Sequence, residues 1–124
     1  MIINMESREL SPEACAFIIT GRFVRGNRLG EVEHAIHQRI QQGLKKLVLD
    51  LTGLDFIDSS GIGVLAVGIG VMEQLGGKLV MVCVPGQVRQ LMKITHLDQR
   101  VEIYPDLASA QSALSWSSTA PPPA

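Results

Sequence analysis

Two adjacent serines, Ser59 and Ser60, follow Asp58 and precede Gly61-Ile62-Gly63. A serine acts as a nucleophile when a base lies within hydrogen-bond reach. The available bases are His34, His37 and His96. The G-x-S-x-G elbow of esterases is absent, so no local pattern supports a triad. Gly61-Ile62-Gly63-Val64-Leu65-Ala66 fits the loose G-x-G-x-x-A dinucleotide pattern, whose glycines belong immediately after a strand. Here Thr52 to Ser60 intervenes, and no acidic residue ends the next strand near Val82 to Val84 to hold a ribose. A phosphate-binding loop would need a lysine that this run lacks. Asp50, Asp55 and Asp58 read as turn and capping carboxylates, with Asp55 and Asp58 favouring a helix N-terminus electrostatically. Asp50, costly to bury unpaired, is expected at a strand end. His34 and His37 lie three apart without a third ligand at sensible spacing, which reads as solvated histidines and no metal site. Cys15 and Cys83 lack C-x-x-C spacing and sit among apolar residues, as buried reduced thiols do. An esterase-like triad stays open beside a second reading, in which a serine exposed at a helix start is a place for a phosphate. Its structural alternative is a serine that only caps the helix.

The elements that position these serines are legible around them. Leu47-Val48-Leu49-Asp50-Leu51 is a short apolar run bounded by Thr52-Gly53, and predicts a strand covered on both faces followed by a tight acidic turn. From Gly61 to Met72 no residue is charged. At about 1.5 Å per residue that run spans roughly 18 Å, too short to cross a bilayer. It predicts a helix covered on most sides. On a wheel of about 100° per residue, Ile62, Val64, Leu65, Val67, Ile69, Val71, Met72 and Leu75 fill one wide arc. Gly63, Ala66 and Gly70 form the remaining narrow stripe, flanked by Glu73 and Gln74. The phase places Ser59 on this stripe and Ser60 towards the apolar edge. A serine beside a smooth strip of small residues suits both a phosphate and a docking protein.

The tetrapeptide Asp58-Ser59-Ser60-Gly61, set after Val48-Leu49-Asp50-Leu51-Thr52-Gly53-Leu54-Asp55-Phe56-Ile57 and before an apolar helix, resembles the anti-sigma factor antagonist family of STAS domains. The resemblance covers roughly residues 13 to 115, including Thr20-Gly21 and the turn Gly76-Gly77-Lys78. It implies that Ser59, directly after the aspartate, is the phosphorylated residue. It further implies partner contacts at Asp58, Ser59, Ser60, Gly61, Gly63, Ala66 and Gly70, with Asp58 shaping the site a kinase recognises. The implied function is partner switching. The unphosphorylated form binds an anti-sigma factor that is also its serine kinase and frees the sigma factor. Phosphorylation ends binding, and a phosphatase resets it. The chain would be a substrate and no enzyme, without a cofactor. Two alternatives stand beside this: a STAS subunit that regulates a transporter ATPase, and a small nucleotide-binding or enzyme domain built on the glycine-rich helix. One departure is plain. Members usually follow the early strand glycine with a Gly-acidic-apolar-Asp stretch, whereas this chain has Gly21-Arg22-Phe23-Val24-Arg25.

The rest of the chain sets limits. Its 124 residues suffice for one core. With 46% hydrophobic and 19% charged residues it is globular. A net charge of −1 gives no pull towards nucleic acid, and one Trp, one Tyr and three Phe give no stacking platform. Met1 to Glu6 shows no basic, apolar, cleavable signal, which predicts a cytoplasmic protein without a membrane partner. Met1 to Asn4 is expected as an edge strand, Glu6 to Glu13 as a polar connection turning at Ser11-Pro12, and Ala14 to Gly21 as a strand paired with the first. Asn27 is expected to cap a helix carrying Leu29, Val32, Ile36 and Ile40 and stopped by Gly43. Lys78 to Val84, a short helix to Ile94, Val101 to Tyr104, and a helix after Asp106 complete an alternating order. That order predicts an α/β domain over residues 1–116, with a mixed, mostly parallel sheet of about five strands and about four helices. Residues 117–124, with three successive prolines, are expected to form a disordered tail.

Overall fold

A computed structural model describes residues 3–116. Five strands form one sheet in chain order: β1 (Asn4–Ser11), β2 (Ala14–Phe23), β3 (Lys46–Ile57), β4 (Lys78–Val82) and β5 (Glu102–Tyr104). β1 and β2 are antiparallel, and the later pairs are parallel. Helices α1 (Leu29–Gln41), α2 (Ser59–Gln74), α3 (Gln87–Ile94) and α4 (Leu107–Trp116) make the connections, with a single 3₁₀ turn at Leu97–Gln99. The mixed α/β architecture expected from the alternating pattern is the one observed. The tail expected over residues 117–124 lies outside the described residues.

The sheet separates two cores. On one side α1, α2 and α3 bury Phe17, Ile19, Leu47, Leu49, Leu65 and Ile69 among others. On the other, Ala110 and Leu114 of α4 pack on Ala16, Val48, Val80 and Val82. β2 and β3 are covered on both faces, which is why their sequences read as near-continuous apolar runs.

Three local expectations are corrected. The first strand is Asn4–Ser11, so the polar stretch after Met5 is strand rather than connection. An edge strand exposed along most of its length shows little apolar alternation, and backbone pairing with β2 holds it in place. β3 does not stop at Leu51. It continues to Ile57 and stays paired with β2 as far as Phe23. Thr52-Gly53 marks a register irregularity rather than a turn, and Gly53 packs against the Thr20 side chain. Asp50 therefore lies inside the strand, 8% exposed, and not at its end. Its Oδ1 accepts from the Thr52 amide at 3.1 Å and the Thr52 hydroxyl at 2.8 Å, which offsets the cost of its burial. Finally, α1 is not capped by the Asn27 side chain. Arg28, in the left-handed region at φ 67°, holds the cap position, and Asn27 Nδ2 donates instead to the Arg22 carbonyl at 2.6 Å.

The junction of β3 with α2 is held from two sides. The Gln87 side chain accepts from the Ile57 N–H at 3.0 Å and donates to the Ile57 carbonyl at 2.8 Å. It thereby supplies the pairing that β4, ending at Val82, no longer gives. On the other side the end of β2 presses on Gly61. A methyl at Gly61 would overlap the Phe23 carbonyl oxygen and lie 2.7 Å from Ile57 Cγ1. The Phe23 carbonyl is backbone and cannot yield without moving β2. We therefore expect Gly61→Ala to cost about 3 kcal/mol, the upper range for overpacking. Urea unfolding checks this, and a midpoint within error of the wild type would show that the β2–α2 contact is looser than described.

Candidate functional site

Asp58 is the N-cap of α2, so Ser59 is its first residue, and the serine-cap alternative is replaced by an aspartate cap. Asp58 Oδ1 accepts from the Gly61 N–H at 3.0 Å, and Oδ2 accepts from the Arg25 N–H at 2.9 Å. The Asp58 N–H reaches the Phe23 carbonyl at 3.4 Å. One carboxylate thus ties the start of α2 to the loop after β2. Burial pushes its carboxyl up. The amides of Arg25, Gly61 and Ser60 outweigh that and hold it below the usual carboxylate range.

Ser59 is exposed and Ser60 half-buried. Neither makes a side-chain hydrogen bond to a histidine among the described residues, and His34, His37 and His96 are exposed elsewhere. His34 and His37 lie on α1, where His37 Nε2 is 3.0 Å from Gln41 Nε2. Among the described residues no three His, Cys, Asp and Glu are grouped to hold a metal ion. Gly61 and Gly63 lie inside α2 rather than in a strand–helix turn, and the Asp58 carboxylate already sits on the first amides. That is the wrong charge in the place a pyrophosphate would occupy. Cys15 and Cys83 are buried, and burial pushes both thiols up, so neither carries thiolate chemistry.

The stripe on α2 is present with changes. Gly63 is exposed, and Ala66 and Gly70 are half-buried. A methyl at Gly63 would meet nothing within 4 Å. Gly70 faces Arg100, whose guanidinium pairs with Glu73 at 2.7 Å. Val67 and Leu75, assigned to the apolar arc, are 52% and 62% exposed. Val64, Val67, Gly68 and Val71 line a small space against Ile36, His37 and Ile40 of α1, and Val67 stays half open to solvent there. Wheel phase carries no information on how closely a neighbouring helix approaches. The accessible face is therefore Ser59, Gly63 and Val67, flanked by Ala66 and Gly70.

The loop beside it carries the two cations. Arg22 stacks over Phe56, 5.1 Å from the ring centroid, and Arg25 is exposed beside its contact with Asp58. Two contributors gave no sequence signal: the Arg25 amide, because any residue has one, and Gln87, because a polar residue after Pro85-Gly86 reads as an ordinary helix start.

The lowered Asp58 carboxyl gives a pH test. A carboxyl depressed by folding stabilises the fold fully above its unfolded value, and that contribution fades as pH falls through the folded one. We expect wild type to exceed Asp58→Asn in stability at neutral pH, with the gap closing as pH drops below the normal carboxylate range. Thermal melts of both proteins from neutral to acid check this, and a gap that widens on acidification would contradict the geometry.

Among known proteins, BtrV of Bordetella bronchiseptica, described as a putative anti-sigma factor antagonist, is 28% identical over 92 residues, covering 74% of this chain and 77% of that one. A Thermotoga neapolitana homologue of the TM1081 anti-sigma factor antagonist is 30% identical over 71 residues, 57% of this chain. That match spans 63% of the Thermotoga protein. The crystal structure of an anti-sigma factor antagonist from Mycobacterium paratuberculosis superposes with a TM-score of 0.81 at 22% identity, covering 91% of this chain and 94% of that one. The family model described as the STAS domain matches residues 12–110, from the β1–β2 turn into α4. The chain therefore belongs to the STAS domain family.

Proposed function

We propose that this protein is an anti-sigma factor antagonist of a bacterial partner-switching pathway. Unphosphorylated, it binds an anti-sigma factor that doubles as its serine kinase and releases the sigma factor. Phosphorylation of Ser59 ends that binding, and a phosphatase reverses it. The observation that carries the reading is the placement of Ser59. It is exposed at the first position of α2, directly after the Asp58 cap, and opens onto a helix face of small residues. The relatives from Bordetella and Thermotoga, both described as putative anti-sigma factor antagonists, support it. The chain is a substrate without catalysis of its own, ATP belongs to the partner, and the exchange takes place in the cytoplasm. No helix among the described residues is long and apolar enough to cross a membrane.

Charge explains how one phosphate switches an interface yet spares the fold. A phosphoserine adds about −1.5 to −2 charges at pH 7. At Ser59 the helix N-terminus attracts it by roughly 0.3–1 kcal/mol, while Asp58 next door repels it by a similar order in high dielectric. The domain therefore changes little. A partner seated along Gly63, Ala66 and Gly70 covers the phosphate, and stripping water from an unpaired charge costs several kcal/mol. About 3 kcal/mol already exceeds a hundredfold in dissociation constant.

Two measurements test this. Mass spectrometry after incubation with the kinase should find phosphate on Ser59. The modified protein should then melt as before but bind the anti-sigma factor about a hundredfold more weakly. Phosphate on Ser60 alone, or equal affinity of both forms, defeats the proposal. Gly63→Gln probes the docking face separately. Space around Gly63 is open and glycine is a poor helix residue, so stability should hold or rise by about 0.5 kcal/mol. Affinity should fall about tenfold, because the new side chain stands where the partner lies. Unchanged affinity would move the interface off α2.

A further inference from the structure

We propose that the outer edge of β1 is a self-association surface, on which a second copy of this chain adds its own β1 antiparallel about a two-fold axis through Ser7. β1 is an edge strand of eight residues without proline or lysine. Among the described residues no strand pairs with its outer side. Its ladder with β2 is regular from Asn4 to Glu9 and shifts only between Glu9 and Ser11. Such an edge presents a row of N–H and C=O groups ready for another strand.

Charged residues on an edge often serve to prevent such pairing. Here the signs are mixed, and their positions select one register instead of blocking all. Alternate residues of β1 turn their peptide groups towards β2, so a symmetric antiparallel seam pairs only residues of like parity, and its axis passes through a residue. An axis through Glu6, Arg8 or Glu9 sets each of those charges against itself. An axis through Met5 leaves only a short stretch in register. An axis through Ser7 pairs Asn4 to Leu10 throughout and puts Glu6 opposite Arg8 of the second copy, twice by symmetry. Opposite charges placed directly across a ladder stabilise it, and like charges destabilise it. Glu6 and Arg8 are both exposed and reach each other within one strand at only 3.5 Å, so both are available across the seam. On the other face Glu9 is neutralised by Arg39 at 3.0 Å, which leaves Met5 opposite an already paired carboxylate. β2 separates this seam from β3 and the Ser59 site, so pairing leaves both copies' sites open.

Sedimentation equilibrium of the full chain should give a concentration-dependent mass rising towards twice the 13.4 kDa of one chain. Glu6→Arg alone sets Arg against Arg, and Arg8→Glu alone sets Glu against Glu. Each should weaken the dimer about tenfold or more, and the double variant Glu6→Arg/Arg8→Glu should restore it. Ser7→Cys gives an independent reading. Its two Cβ atoms would flank the axis as directly opposed residues, about 4.5 Å apart at the near end of the cross-strand range, where a small shift of the two strands admits a disulfide under mild oxidation, whereas Ser11→Cys lies outside the register. Cys15 and Cys83 are buried and do not compete. A wild type that stays monomeric to sub-millimolar concentration overturns the proposal. So does a dimer indifferent to the single reversals, a double variant no stronger than the singles, or a Ser11→Cys variant that crosslinks as readily as Ser7→Cys.

Discussion

The Asp58 carboxylate is the interaction on which the site depends. Its two oxygens hold two backbone donors that belong to different parts of the chain, Gly61 on α2 and Arg25 in the loop after β2. A helix start has four amides without partners, and an aspartate cap satisfies one while its charge favours the positive end of the helix dipole. Here the second oxygen extends the same cap across to β2. The position of Ser59 relative to that loop is therefore fixed by a bond neither element could make alone. Gly61 is the steric counterpart, because only a residue without Cβ lets the Phe23 carbonyl come so close.

The partner switching proposed above needs a surface that is apolar enough to bind yet tolerable when free. α2 meets this by omission. Its accessible line is Ser59, Gly63 and Val67 with half-buried Ala66 and Gly70 beside it, so Val67 is the one large apolar side chain that this line shows to water. The buried line carries Ile62, Leu65, Ile69 and Met72, which anchor the helix on the sheet. Anchoring and the proposed docking thus fall on opposite sides of one uncharged segment. That arrangement explains why the segment shows almost no amphipathic contrast in its sequence.

Much of this was readable from residues alone. The helix over Gly61 to Met72, the strands at Leu47 and Leu79, and the order of elements follow from apolar runs and glycine stops, which are local signals. The candidate site was readable as a motif because Asp58, Ser59 and Gly61 lie within one short stretch. What escaped was set by partners distant in sequence. β1 is held by pairing with β2 rather than by its own pattern, and β3 runs past Thr52-Gly53 because β2 continues beside it. Asp50 is tolerated inside a strand because Thr52 turns back to it. Gln87 completes β3 from thirty residues away. Val67 stays half exposed beside α1, and no wheel contains how closely a neighbouring helix approaches.

The order of strands across the sheet is also their order along the chain. No strand has to be threaded between two that are already joined, and each new one is added at the same advancing side. A chain leaving the ribosome can thus dock every segment onto what has already emerged, which keeps loop closures short and limits the time that apolar strands stand uncovered. Among the described strands none is added on the far side of β1. Of the five described strands that margin is the first to be laid down, and none of the later four is added to it.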